Sequence, residues 1–274
     1  MPSIPQLSIA LSGLDPAQIG LSAGRGPRGG GLVRGMIDWV SRQRGIRGVQ
    51  IDAAAAGVRP RELDRSGRRD LAALLRRSEL ACSGLDLFIP PEHFVQAHRI
   101  DRAVSAVAES LELAAELSTL AAGAVVTRMR SAVLPVCLIL PGETPASVRQ
   151  TLAGHAERVG VRIADHAWPV HEQAAGESQS LAVGLDPATL LLAQQDPAQV
   201  VAQLGARVAS ARLTDVARGI GAARVAPGSP SGRLDVLAYR VALATSTALQ
   251  HVVIDLRGVA DQSAAIAQVQ ADGP

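Results

Sequence analysis

Five carboxylates stand where short apolar runs stop: Asp52 in GVQID, Asp165 in VRIAD, Asp186 in LAVGLD, Asp215 in ARLTD and Asp255 in HVVID. Parallel strands bring such ends together on one face, where grouped acids can hold a divalent cation through oxygen or pass a proton between them. LAVGLDPATL (residues 181–190) carries this pattern most clearly, because Pro187 ends the strand and opens the next element. Arg212 lies three residues ahead of Asp215 in the same run. His166 and Trp168 follow Asp165 in VRIADHAWP, the first a candidate base or metal ligand and the second a surface on which a sugar ring could stack. Trp168 could equally pack a loop. Adjacent strand residues face opposite sides, so only one of Asp165 and His166 can face a common axis while the strand continues.

The elements that must position these groups alternate along the chain. Strand candidates are residues 6–12, 48–52, 80–89, 133–140, 161–165, 181–185, 208–213 and 251–256. Between them lie runs with apolar residues at helical spacing: Leu32 to Val40, then 68–77, 101–117, 145–158, 197–204 and 234–249, with a weak helical tail after Ala260. Pro135 in VLPVCLIL restricts that strand to an edge or to a start at the proline. Eight strand candidates alternating with helices, with no change of composition, predict an α/β fold of a single (β/α)8 TIM barrel spanning residues 1–274. No G-x-G-x-x-G follows the first strand, which argues against a doubly wound dinucleotide fold. A Gly-rich loop, residues 20–31, carries Arg25 and Arg28 ahead of a helix and offers a possible anion site without the Walker spacing.

Composition narrows the function classes. The chain has 274 residues, 47% of them hydrophobic, which is enough for a large core. Its basic residues are all arginine, so Schiff-base chemistry and a P-loop lysine are excluded. A net charge of +2 with dispersed arginines gives no nucleic-acid footprint. No apolar run is long enough for a membrane span, and the N-terminal stretch lacks the basic region of a signal peptide. Cys82 and Cys137 sit in apolar runs, as buried free thiols of a cytoplasmic protein do.

The segments GVQIDA, SGRRDLAALLRRSEL, RIDRAVSAVAESLELAAEL, GVRIAD, AVGLDPATLL, VASARLTD and VVIDLRG, in that order, resemble the xylose-isomerase-like TIM barrels of the sugar phosphate isomerase/epimerase group. The resemblance implies one divalent cation held by a Glu, an Asp, a His and a Glu at the ends of strands five to eight. It also implies that the two Glu residues move a proton between adjacent sugar carbons. On this chain the first Glu falls on Asp165, the Asp on Asp186, the His on Arg212 and the second Glu on Asp255. The implied catalytic pair is Asp165 and Asp255, and the implied metal set is Asp165, Asp186 and Asp255. Arg212 departs from the pattern decisively, because a guanidinium has no lone pair to donate and stays protonated. A unit charge about 4 Å from a divalent ion costs roughly 8 kcal/mol at an effective dielectric near 20.

Three readings follow. In the first, the mouth is a degenerate metal site: Arg212 pairs with Asp186, Asp255 or both, no cofactor is expected, and the barrel binds a sugar-like or anionic molecule through Arg212, His166, Trp168 and Asp186 with catalysis reduced or lost. In the second, a shifted site holds Mn, Mg or Zn and isomerisation or epimerisation persists. In the third, the barrel acts structurally or in regulation through protein contacts. Homo-oligomers are common among the proteins it resembles.

Overall fold

A computed structural model of the chain describes residues 4–21, 30–122, 133–170, 180–219, 223–247 and 249–271. Arg25 and Arg28 of the Gly-rich loop, and residues 171–179, lie outside the described residues. Eight parallel strands form a closed barrel: β1 (Gln6–Ala10), β2 (Ile46–Asp52), β3 (Ala81–Asp86), β4 (Pro135–Leu138), β5 (Arg162–Asp165), β6 (Leu181–Leu185), β7 (Val208–Leu213) and β10 (His251–Ile254). Each strand pairs with the next, and β10 closes on β1 with Gln6 opposite His251 and Ile9 opposite Ile254. A short antiparallel hairpin of β8 (Asp215–Val216) and β9 (Arg224–Val225) follows β7.

Closure leaves no edge strand, so Pro135 has one tolerable place, and it is the first residue of β4. The neighbouring strand yields to it. Gly84 on β3 has φ +141°, and a Cβ there would lie 2.8 Å from the Pro135 carbonyl oxygen. Only glycine satisfies both conditions.

Helices follow the strands: α1 (Gly30–Ser41), α2 (Arg65–Arg77), α3 (Ala97–Ala122), α4 (Ala146–Val159), α5 (Pro187–Leu192), α6 (Pro197–Leu204), α7 (Val236–Leu243) and α8 (Gln262–Ala271). Several of their starts are capped by acids from the sequence just ahead. Asp64 accepts from Gly67 N, Asp196 from Ala198 N and Asp235 from Ala238 N, each relieving an unpaired amide of the first turn. Pro197 adds a fixed φ at the first position of α6. The helix expected over residues 234–249 is shorter, ending at Leu243, and the Pro/Gly-rich stretch before it contributes β9.

Successive strand residues face opposite sides of the sheet. Ile9, Val49, Ile51, Leu85, Val136, Ile163, Leu185, Ala211, Leu213 and Ile254 are buried in the hydrophobic core. The intervening residues are polar on several strands, as at Ser8, Gln50, Ser210 and Arg212, and small or apolar on others, as at Ala164, Gly184 and Val253. Gln50 Nε2 donates to Cys137 Sγ at 3.3 Å, Cys137 Sγ contacts Ser210 Oγ at 3.3 Å, and Ser210 Oγ lies 3.3 Å from His166 Nε2. Contacts joining β2, β4, β7 and the end of β5, which are not all neighbours in the sheet, can only cross the barrel's interior. That interior is a polar layer leading to the carboxylates at the strands' C-terminal ends.

Candidate active site

Arg212, the fifth residue of β7, stands on the inner face two residues above Ser210 and is 5% exposed. Its guanidinium reaches three strands. Nη2 donates to Asp86 Oδ1 at 2.8 Å, Nε lies 3.6 Å from Asp255 Oδ2, and Nη1 lies 3.9 Å from Asp186 Oδ2. The expected pairing with Asp186 and Asp255 is present at ion-pair range, but the one hydrogen-bonded carboxylate belongs to Asp86. Sequence reasoning did not single out Asp86, because it is embedded in the run from Leu80 to Ile89 rather than closing it.

Each carboxylate has further partners. Ser12 Oγ donates to Asp86 Oδ2 at 2.5 Å, and Arg257 Nη1 lies 3.6 Å from the same oxygen. Asp186 caps α5 through Ala188 N at 3.0 Å, accepts from Thr214 Oγ1 at 2.5 Å and accepts from Arg224 Nη2 at 2.8 Å. Arg224 sits on β9, so the hairpin lays a second cation over the mouth. Asp255 is clasped by Arg257, whose Nε, Nη2 and backbone N all donate to it. Three arginines and three aspartates thus form one neutral network, with Arg224 and Arg257 part-exposed at its outer side. Arg224 Nη1 has no hydrogen-bond partner among the described residues.

Burial alone would raise the Asp255 carboxyl. The Arg257 hydrogen bonds and the charges of Arg212 and Arg257 outweigh it and hold the group at about 2. Asp52, at the end of β2, is raised, first by burial and also by the charge of Asp86, against a hydrogen bond from Ala54 N. His166 is pushed well below the ordinary imidazole value by burial and by Arg212 and Arg257, so a neutral ring faces the interior. Its Nδ1 is buried without a partner among the described residues.

The remaining candidates separate. At the end of β5 it is His166 that enters the polar interior; Asp165, expected as catalytic acid and metal ligand, accepts from Leu140 N and Ala167 N, both at 3.0 Å, and lies 3.7 Å from Arg149 Nη1 of α4. Strand alternation explains the difference, since the two residues are adjacent. Trp168 is half-buried, packs against the hydrophobic core and precedes Pro169 through a cis peptide bond. Asp215 organises its own loop, its Oδ1 accepting from Val216, Arg233 and Leu234 N.

The divalent ion implied by the resemblance does not fit these residues. The cationic group of Arg212 lies beside Asp186 and Asp255, two of the three carboxylates that would coordinate it. The third, Asp165, is held by Leu140 N and Ala167 N, and among the described residues no three His, Cys, Asp or Glu side chains are grouped to hold a metal. Charge repulsion of the order given above opposes a cation there.

No family model and no curated protein sequence matches this chain. Solved structures do. A xylose isomerase domain protein from Planctomyces limnophilus superposes with a TM-score of 0.68 at 12% identity, covering 99% of this chain and 95% of that one. An L-ribulose 3-epimerase gives 0.60 at 14% identity over 96% of this chain and 86% of that one. A fusion of a xylose isomerase-like TIM barrel with a 4-hydroxyphenylpyruvate dioxygenase also gives 0.60 at 14% identity, over 98% of this chain. The chain spans 42% of that fusion's length. The fold is that of the xylose-isomerase-like TIM barrels. Among the described residues no helix is long and apolar enough to cross a membrane.

Proposed function

We propose that this barrel binds a small sugar-like or sugar-phosphate-like molecule at its C-terminal mouth without a resident metal, and that isomerase or epimerase chemistry is reduced or lost. The observation that carries this reading is the Arg212 guanidinium held among Asp86, Asp186 and Asp255, a fixed positive charge in the position a coordinated cation would need. The neutral network keeps the mouth polar and ordered. Its carboxylates can accept from ligand hydroxyls, and Arg224 and Arg257 can donate to a phosphate or carboxylate. The unpaired Arg224 Nη1 favours an anionic group on the ligand. The likeness to an L-ribulose 3-epimerase is a likeness of fold and supports sugars only as a class.

The test has two arms. Elemental analysis of protein purified without chelators is expected to find no stoichiometric Mn, Mg or Zn. Calorimetric titration with aldose and ketose phosphates, alongside the parent sugars, is expected to give saturable binding that Arg224→Gln weakens about tenfold, equivalent to about 1.4 kcal/mol. A bound stoichiometric metal together with sugar turnover would establish the active enzyme with a shifted site instead. Absence of saturable binding across the panel would leave the structural or regulatory barrel.

A further inference from the structure

The opposite end of the barrel holds a cavity of mixed polar and apolar lining. It measures about 220 Å³ and is lined at the starts of the strands by Ser83, Pro135, Arg162, Ser210, His251 and Val253, with the adjoining loops. Pro135, Arg162 and His251 are the first residues of β4, β5 and β10. Four strand residues separate His251 from Asp255, so the cavity lies on the order of 13 Å from the mouth carboxylates.

Its chemistry is one-sided. Arg162 is a charged lining residue, and among the described residues no carboxylate lines the cavity and Arg162 makes no ion pair. Ser83 is 6% exposed, and its Oγ is buried without a hydrogen-bond partner. His251 Nδ1 lies 2.9 Å from Ser8 Oγ, which can donate to it and leave Nε2–H as a donor. Burial lowers the His251 imidazole to about 4, so at neutral pH this ring makes hydrogen bonds without adding charge. An unpaired guanidinium, an orphaned hydroxyl and an available imidazole N–H form a donor set lacking an acceptor of negative charge. Such a set matches an oxyanion better than a neutral molecule. The volume corresponds to roughly seven waters, enough for a small ion with part of its shell and too little for a nucleotide.

We propose that this cavity is a second binding site, independent of the mouth, for a small tetrahedral oxyanion of the phosphate or sulfate type. Ser210 then belongs to both ends, since it lines the cavity and its Oγ lies 3.3 Å from His166 Nε2 beneath Arg212.

The probe is inorganic sulfate, titrated calorimetrically against chloride at matched ionic strength into the wild type, Arg162→Gln, Arg162→Lys and Arg224→Gln. Expected are saturable binding to the wild type, at least a tenfold loss of the tighter event in Arg162→Gln, partial recovery in Arg162→Lys, and retention of that Arg162-dependent event in Arg224→Gln even where a weaker event at the mouth is lost. Unchanged binding in Arg162→Gln, with loss in Arg224→Gln, would move the anion to the mouth and overturn the proposal, as would no saturable binding to the wild type. Should Arg162→Gln fail to fold, crystals of the wild type soaked in selenate decide the matter. An anomalous peak beside Arg162 is the expected result, and peaks only elsewhere, or none, refute it.

Discussion

Removal of Arg212 would take from Asp86, which is 4% exposed, its hydrogen-bonded cation, while Asp186 keeps Arg224 and Asp255 keeps Arg257. Losing one side of a buried ion pair costs about 3–5 kcal/mol, because the carboxylate left behind is poorly hydrated and the network carries an uncompensated negative charge. Arg212→Ala is therefore expected to lower stability by that amount in urea denaturation, and added Mn²⁺ is expected to restore part of it by occupying the vacated space. Arg212→His should go further and bind one Mn²⁺ per chain, measurable by electron paramagnetic resonance, whereas the wild type should bind none. A wild type that binds Mn²⁺ as well as the variant would mean Arg212 is not the obstacle. Arg212 was legible in sequence because its charge contradicts a coordination pattern. Asp86 and Arg257 were not, for physical reasons: Asp86 stops hydrogen-bonding as strand several residues before its apolar run ends, and Arg257 acts by folding back onto Asp255 two residues earlier. Neither fact has a local signature.

At the scale of elements, β6 passes so close to the end of β5 that a side chain on Gly184 would collide with His166. A Cβ there would lie 2.2 Å from the ring's Cδ2. Gly184→Ala is expected to cost about 1–3 kcal/mol through overpacking. His166→Ala should reduce that cost, so a double-mutant cycle is expected to show coupling of at least about 1 kcal/mol; additive effects would place the strain elsewhere. The strands were readable because each apolar run in a barrel is short and buried, and β6 and β7 match their expected bounds residue for residue. Which residue of a run faces inward was not readable at β5. Asp165 and His166 differ by one position, and the strand's last paired residue decides which of them meets the interior. Helix α6 was read well because its acid and proline occupy the cap and first-turn positions that start a helix. Asp196→Ala is expected to cost about 1 kcal/mol, seen as a lower denaturation midpoint with an unchanged slope.

The whole molecule should lose stability toward acid in two stages, because His251, His166 and Asp255 are held in unprotonated forms. His251 has a folded value of about 4 against an ordinary 6.5, and His166 is displaced in the same direction. Below pH 6.5 the unfolded chain takes up protons that the folded chain refuses, so stability falls as pH drops from 6.5 toward 4. Asp255 adds the second stage. Its folded value of about 2 lies under the ordinary 3.8, so the stability it contributes is complete above 3.8 and is lost as pH falls from there to 2. Asp52, raised in the folded state, acts with the opposite sign, since protonating it relieves a buried charge. Each fully titrating group changes stability by at most about 1.4 kcal/mol per pH unit. Urea midpoints measured from pH 8 to pH 2 are therefore expected to decline from about pH 6.5, and His251→Asn should flatten part of the upper stage, leaving the His166 share. Arg257→Gln should shrink the lower stage, because releasing Asp255 brings its folded value back toward 3.8, and should also lessen the His166 share of the upper stage, to which the Arg257 charge contributes. A midpoint that stays level from pH 7 to pH 4.5 would mean that the two histidines reach solvent, and the closed polar interior linking cavity and mouth would have to be abandoned.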